Sequence, residues 1–127
     1  MAKLDEVRLA VPATPEFLRL ARVTAAGLAS RLGFSFDQVE DLRLAIDELC
    51  FGLTGAHGRQ GTVHVRYLML DGALEIEGEG RFEDQVELPG LSELSEVILR
   101  ALVDEHQLTA DARHPTFRMV KRRDGTE

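Results

Sequence analysis

The chain has 127 residues, 44% of them hydrophobic, and a formal net charge of −7 at pH 7. This length fits one domain, residues 1–127, and the apolar fraction favours an ordered globular protein over a disordered one. The acidic charge argues against a general nucleic-acid binder, and one cysteine with no long apolar segment predicts a cytoplasmic protein without a disulfide framework or a membrane span.

A strand and a helix are the first predicted elements. Apolar residues alternate with charged or small ones over residues 7–11, which predicts a strand that Pro12 stops. Thr14 is then a suitable N-cap and Pro15 a suitable first helical residue. Apolar residues at helical spacing continue this helix as far as Gly33.

The strongest helix signal begins a second helix at residue 36. Ser35 and Gln38 have the pattern of a capping box, and Phe34 with Val39 has that of a hydrophobic staple. The apolar residues of the predicted buried stripe follow at steps of three and four: Val39, Leu42, Ile46, Leu49 and Leu53. Cys50, on the same helix, is predicted to be a core residue rather than a nucleophile.

A neighbouring stripe of the same helix is unusual because it mixes an acid and glycines with apolar residues: Leu44, Glu48, Phe51, Gly52 and Gly55. Each glycine inside a helix costs about 1 kcal/mol relative to alanine. Either the helix contacts a ligand at this stripe, or it packs very closely against a strand or another chain.

A hairpin follows the second helix. Residues 62–70 and 73–77 are predicted strands, and Asp71-Gly72 between them is the signal of a type I′ turn. The Gly-rich and acidic stretch over residues 77–90 predicts a loop.

The last third of the chain predicts one more helix and two short strands. Apolar residues from Leu91 onwards recur at helical spacing, with Ser92 as the N-cap. Strands are predicted around 107–111 and 116–122, the second with an ambiguous inward face. The order β, α, α, β, β, α, β, β predicts an α+β fold, a two-layer sandwich with about three helices on one face of a mixed or antiparallel sheet.

Four segments carry a resemblance to a known family: DLRLAIDELCFGLTGAH, LEIEGEGRFED, PGLSELSEVILRALVDEHQL and PTFRMVKR. In this order, which covers essentially the whole chain, they resemble the anti-sigma factor serine kinases, the RsbW-like branch of the histidine-kinase-type (GHKL) ATPase superfamily. The resemblance implies a GHKL ATPase-like fold, ATP with Mg²⁺ as cofactor and a homodimer. It also implies a sigma factor and a STAS-type antagonist as partners.

The resemblance assigns roles to two residues of the second helix. Glu48 matches the family's acidic residue, which helps to activate the attacking group and is therefore the candidate catalytic residue. The family's Asn, a Mg²⁺ ligand four positions later, falls on Gly52, which has no side chain. The spacing is physically sensible, because residues i and i+4 of a helix point from one face.

The family's Asp-x-Gly-x-Gly motif gives two further candidates for nucleotide contact, Gly78 and Gly80. Its Asp, which binds the adenine amino group, falls on Ile76. Glu75 or Glu77 is reached only by a shift of register, and strand alternation puts both acids opposite Ile76, so the two interpretations exclude each other.

The phosphate-binding turn and the last hairpin complete the resemblance. Gly90 is the glycine that remains before the third helix, after Pro89, which has no N–H to offer a phosphate. Glu87 and neighbouring acids repel a triphosphate unless a metal offsets them. The family's Gly-Thr corresponds to residues 115–116, so that Thr116 alone is kept as a candidate. The four histidines show no metal-ligand spacing, and no protein metal site is predicted.

Three functional hypotheses follow. The first is an anti-sigma factor that binds a sigma factor, is countered by a STAS-type antagonist and, in active family members, phosphorylates a serine of that antagonist. The second is a non-catalytic module with the same fold that regulates by stoichiometric contact and has lost nucleotide binding. In the third, nucleotide still binds weakly through Glu48, Thr116 and the backbone. None of the three predicts direct binding to nucleic acid or to a membrane.

Overall fold

The computed structural model describes residues 5–84, 90–111 and 113–123. Its elements in chain order are β1 (Asp5–Pro12), α1 (Pro15–Arg31), α2 (Phe36–Thr54), β2 (Gly61–Leu70), β3 (Ala73–Phe82), α3 (Glu93–Leu102), β4 (Glu105–Thr109) and β5 (Thr116–Arg122). The predicted order of helices and strands is confirmed. Glu87 and Pro89, which belong to the predicted loop, lie outside the described residues.

The five strands form one antiparallel sheet in the order β1-β2-β3-β5-β4. The mixed sheet that the sequence left open is therefore excluded for the described strands. One face of the sheet carries fully buried side chains such as Tyr67, Ile76 and Met119, which meet the helices in the core. Side chains of the opposite, outer face are mostly charged, so the architecture is a two-layer α+β sandwich, as predicted.

Local signals explain where α2 begins and which side it buries. Gln38 N donates to Ser35 Oγ at 3.1 Å, and Ser35 N donates to Gln38 Oε1 at 2.9 Å, which completes the capping box. The predicted stripe from Leu42 to Leu53 has no exposed surface. Gly55 ends the helix with a φ of +75°, a conformation that favours glycine.

Helix α1 begins at the predicted residue, but its N-cap lacks the side-chain hydrogen bond that a threonine there usually makes. Thr14 is the N-cap residue, yet its side chain makes no capping hydrogen bond. The N–H groups of Phe17 and Leu18 donate instead to the Thr14 carbonyl oxygen, at 3.0 and 2.9 Å. The bond to Leu18 is the ordinary first bond of the helix, whereas the bond to Phe17 satisfies a donor that an N-cap hydroxyl usually binds.

Two details of the predicted hairpin were wrong. Gly72 has a φ of +74°, but no non-glycine residue in the described chain has a positive φ, so Asp71 cannot take the conformation that a type I′ turn requires. Strand β3 also continues to Phe82, through residues 78–82 that were predicted as loop, because the register with β2 continues to Gly61. Strand β4 lies two residues earlier than predicted.

The outer face of the sheet is held by ion pairs across neighbouring strands. Arg66 pairs with Glu6 and Glu77, and Arg118 pairs with Glu75 and Glu105. Opposite charges facing each other across strands stabilise the pairing and balance the charge of this face. No helix in the described part of the chain is long and apolar enough to cross a membrane.

Candidate functional site

Glu48 lies half-buried where α2 meets α3. Its Oε2 accepts a hydrogen bond of 2.5 Å from Ser95 Oγ. Ser95 is held in turn by the N-cap of α3, because Ser92 Oγ accepts from Ser95 N at 3.0 Å and lies 3.0 Å from Ser95 Oγ. The candidate base is therefore bonded to a hydroxyl of its own chain.

Gly52, one turn further along α2, is buried against two leucines. A Cβ added at this residue would lie 2.6 Å from Leu108 Cδ1 and 3.4 Å from Leu91 Cδ2. Of the two explanations for this glycine, a ligand contact or close packing, the described contacts favour close packing against strand β4. The space in which the family's Mg²⁺ ligand would stand is occupied by apolar side chains.

Gly78 and Gly80 point to the core face of β3 and are each covered by an aromatic ring. An added Cβ would lie 2.5 Å from Phe117 Cζ at Gly78 and 2.5 Å from Phe82 Cζ at Gly80. Phe117 is the register partner of Gly78 on β5 and is itself buried. Both glycines are thus needed for the close approach of these rings to the backbone.

Ile76 shares the core face with these glycines and is fully buried. Glu75 and Glu77 point to the outer face, where Arg118 Nε donates to Glu75 at 2.8 Å and Arg66 donates to Glu77 at 2.9 Å. The register shift that would bring an acid to the adenine position is therefore excluded. On the core face of β3 this position offers only an aliphatic side chain.

Gly90 lies apart from the other candidates, whereas Thr116 and the backbone of Gly78 line the same depression on the outer face of the sheet. Gly90 precedes α3 with a φ of +82°, and an added Cβ would meet no atom of the described chain within 4 Å. Thr116 pairs with Glu79 and has an exposed side chain on the outer face of the sheet, opposite to the face of Gly78. Thr116 lines a depression of about 520 Å³ there, with His64 and Arg66 among its other residues.

The apolar side chains that pack against Gly52 and Gly78 form one continuous group between α2 and β3. Leu108 contacts the Gly52 position and is the register partner of Phe117, which contacts Gly78. Sequence reasoning did not identify these apolar side chains as part of the site. The available signal was the alternation within residues 116–122, whose inward face could not be decided from sequence alone.

The residues present do not fit Mg²⁺ and ATP bound as the family motifs require. Position 52 offers no oxygen ligand, position 76 offers no acid for adenine, and leucine and phenylalanine side chains fill the space between α2 and β3. Among the described residues, no three His, Cys, Asp or Glu side chains are placed to hold a metal ion. Whether the six candidate residues bind nucleotide therefore remains a prediction.

Cys50 behaves as the sequence predicts. It is buried in α2, and burial raises the pKa of its thiol to about 12. A thiol that ionises so weakly is a poor nucleophile near neutral pH.

Comparisons with known proteins agree with this fold. The chain matches none of the known protein-family models. It is 36% identical over 78 residues to the serine-protein kinase RsbW of Bacillus pumilus, which covers 58% of this chain and 48% of that protein. It is 33% identical over 75 residues to the serine-protein kinase RsbW of Bacillus subtilis, which covers 57% of this chain and 47% of that protein.

A solved structure extends the similarity to most of the chain. The crystal structure of the RsbU and RsbW domains of a Mycobacterium tuberculosis protein matches 94% of this chain and 32% of that one, with a TM-score of 0.69 and 19% identity. The chain spans about half the length of the curated relatives it matches. The chain is thus similar in sequence to the RsbW serine-protein kinases and shares the α+β fold of a solved RsbW domain.

Proposed function

We propose that this chain is an anti-sigma regulatory domain that binds a sigma factor directly, is countered by a STAS-type antagonist and transfers no phosphate. Similarity to RsbW proteins in sequence and fold supports the regulatory class. One observation carries the non-catalytic part: Leu108 stands where the side chain of a Mg²⁺ ligand at position 52 would have to be.

Phosphoryl transfer depends on charge stabilisation more than on the base. Metal ions neutralise the charge that develops between the phosphates, and a carboxylate without them supplies only a small part of the rate. Glu48 has no neighbouring Mg²⁺ ligand at position 52 and is bonded to Ser95. Regulation would then depend on competition between partners for one protein surface.

The same proposal covers location and assembly. We place the chain in the cytoplasm as one domain over residues 1–127, with protein partners only and with a homodimer as the assembled state. A homodimer would have twice the 14.1 kDa of the chain, which light scattering measures directly.

Binding to the sigma factors of the source organism tests the proposal. Each purified sigma factor is titrated into the chain by calorimetry, once with Mg·ATP and once with a chelator and no nucleotide. We expect one sigma factor to bind with the same affinity in both conditions. Binding that requires Mg·ATP would contradict the non-catalytic part, and binding to no sigma factor would contradict the regulatory part.

A serine kinase is the second candidate, and sequence similarity to the serine-protein kinases RsbW, together with the carboxylate at position 48, favours it. A carboxylate that can accept a hydrogen bond from the hydroxyl of a substrate serine is suited to act as a general base. The assay is phosphate transfer from Mg·ATP to a STAS-type antagonist by the natural chain and by Glu48→Gln. Transfer by the natural chain that the variant loses would establish the kinase, whereas our proposal expects none from either.

A further inference from the structure

Strand β1 is an open edge of the sheet. It pairs with β2 over all eight of its residues, from Asp5 to Pro12, and no other strand of the described chain lies on its other side. An open edge of this length presents unpaired N–H and C=O groups, which can pair with a strand of another chain. The edge is therefore a candidate interaction surface.

The ladder with β2 decides which backbone groups of β1 are free. Ala13 N donates to the Gly61 carbonyl oxygen at 3.1 Å, which makes these two residues a hydrogen-bonded pair. Bonded and non-bonded pairs alternate along an antiparallel ladder, so the odd-numbered residues of β1 bond to β2. The even-numbered residues Glu6, Arg8 and Ala10 then point their N–H and C=O groups to the open side.

Helix α1 covers β1 and β2, and one side of the helix lies above the open edge. Arg22 Nη1 donates to Asp47 of α2 at 2.9 Å, so α2 lies on the Arg22 side of α1. Helix α1 contacts β1 and β2, whereas α2 contacts β3 and β5. The side of α1 that faces away from α2 is therefore the side above the edge, and it carries Phe17, Leu20 and Leu28 at helical spacing.

These side chains give the edge an apolar surface in both layers. Phe17 is 41% exposed and Leu20 is 46% exposed. On the inner face of β1, Val7 and Leu9 are only partly buried where they pack against the core, and the same holds for Leu28 of α1. We call these five residues, together with the open backbone of β1, the β1 edge surface.

The spacing of the two layers fits a second copy of the chain. When two copies pair through β1, α1 of each copy lies above β1 and β2 of its own sheet, two strand spacings from α1 of the other copy. Strands lie about 4.8 Å apart, so the helix axes would be about 10 Å apart, which is the distance of packed helices. Strands and helices can therefore pair at the same time, whereas an extended peptide of another protein would cover only the strand.

Charge and proline select the register of such a pair. With Val7 on a twofold axis, Glu6 faces Arg8 of the other copy, an opposite-charge pair. An axis at Glu6 or at Arg8 opposes like charges, and an axis at Leu9 places Pro12, which has no N–H, against Glu6. Because Glu6 already pairs with arginines of its own chain, this contact sets the register, and the apolar side chains supply the affinity.

We propose that two copies of the chain associate through the β1 edge surface, about a twofold axis at Val7. The two sheets join into one continuous sheet, in which Glu6 and Arg8 exchange backbone hydrogen bonds with Arg8 and Glu6 of the other copy. Helix α1 packs against α1 of the other copy through Leu20 and Leu28. The inference rests on the homodimer of the proposed function, to which it gives an interface.

A cysteine at position 7 tests the axis directly. Val7 would face itself in a non-bonded pair, whose Cα atoms lie about 4.5 Å apart, within the range that a disulfide spans. We expect Val7→Cys to form a disulfide-linked dimer under mild oxidation at low protein concentration. The natural chain, whose Cys50 is buried, should not be cross-linked on a non-reducing gel. The control Thr109→Cys, at an exposed residue of the other edge strand, should not be cross-linked either.

Matched variants separate this surface from exposed apolar residues in general. Leu20→Lys should weaken the dimer by about tenfold or more, whereas Val23→Lys, at a side chain that is 60% exposed on the solvent side of the same helix, should keep the natural dimer. Arg8→Pro removes an N–H of the open edge but none that bonds to β2, and it should also weaken the dimer. Sedimentation equilibrium measures each dissociation constant, and circular dichroism verifies that the variants fold.

Several outcomes would overturn the proposal. They are a natural chain that stays monomeric at every concentration, cross-linking of Thr109→Cys as efficient as that of Val7→Cys, equal weakening by Leu20→Lys and Val23→Lys, or a dimer that Arg8→Pro leaves unchanged.

Failure of this interface is distinguishable from failure of the proposed function. A dimeric chain in which Val7→Cys is not cross-linked would overturn the β1 edge surface and leave the proposed homodimer intact. A sigma factor that binds a monomeric natural chain would overturn the interface and the homodimer but leave the regulatory function intact. Cross-linking of Val7→Cys in a chain that binds no sigma factor would support the interface and contradict the regulatory function.

Discussion

Alanine at position 78 tests whether the glycines at positions 78 and 80 of β3 serve packing rather than a ligand. In an open strand, Gly→Ala is expected to stabilise by roughly 0.5–1 kcal/mol because glycine loses more backbone entropy on folding. At Gly78 the new Cβ would lie 2.5 Å from Cζ and 2.8 Å from Cδ2 of Phe117, a buried ring. The ring must move, and overpacking of this kind costs about 1–3 kcal/mol.

We therefore expect Gly78→Ala to lower the free energy of unfolding by about 1–2 kcal/mol. For a chain of this length that corresponds to a fall of roughly 3–10 °C in Tm. Urea unfolding followed by circular dichroism measures the change. Gly27→Ala is the control, because this exposed glycine of α1 has no atom of the described chain within 4 Å of an added Cβ and should gain about 1 kcal/mol.

The same substitution in a Phe117→Leu variant isolates the contact between position 78 and the Phe117 ring. In Phe117→Leu the aromatic ring is absent, so Gly78→Ala should lose its destabilising effect, and the coupling between the two positions should be about 1 kcal/mol or more. A Gly78→Ala variant as stabilised as the Gly27→Ala control would refute the packing explanation. So would an effect of the same size with and without Phe117.

Three further predictions concern single side chains. Cys50 should react with a thiol reagent in urea but not in the folded chain at about pH 8, because burial raises its pKa to about 12; rapid labelling of the folded chain would contradict this. Burial also raises the pKa of Tyr67, so the folded state holds the phenolic proton more tightly than the unfolded state. The free energy of unfolding should fall as pH rises above about 10, because the unfolded state then loses the phenolic proton first. Tyr67→Phe should lose less unfolding free energy than the natural chain between about pH 9 and about pH 11. Equal losses in the two proteins would show that Tyr67 does not cause the pH dependence. Hydrogen bonds from Arg118 and Arg122 lower the pKa of Glu105. The variant Arg118→Gln should therefore raise this pKa towards the ordinary carboxyl value, which a ¹³C NMR titration measures. An unchanged pKa would show that the ion pair between Arg118 and Glu105 is absent in solution.

The fold could be predicted because its signals are local. The capping box at Ser35, the steps of three and four along α2 and the short Asp71-Gly72 turn each depend on residues that are neighbours in sequence. The extension of β3 to Phe82 was missed because glycines and acids alternate there. That composition usually indicates a loop, whereas here the glycines make room for aromatic rings.

The site was predicted less completely because its contacts are long-range. The family resemblance predicted that position 48 lies near a pocket, but no sequence pattern shows that Ser95 bonds to Glu48 or that Leu108 covers Gly52. Thr116 matched the family motif, yet strand alternation turns its side chain to the outer face. A motif fixes residue type and spacing, while the partner that fills a space comes from a distant part of the chain.

Thermal unfolding with and without Mg·ATP tests the central claim most directly, namely that apolar packing occupies the nucleotide position. A site with a Kd of about 50 µM would stabilise the chain by about 2.7 kcal/mol at about 5 mM nucleotide, which is roughly 8–14 °C in Tm. Our account predicts no change in Tm. A rise of several degrees that disappears when Mg²⁺ is chelated would contradict it.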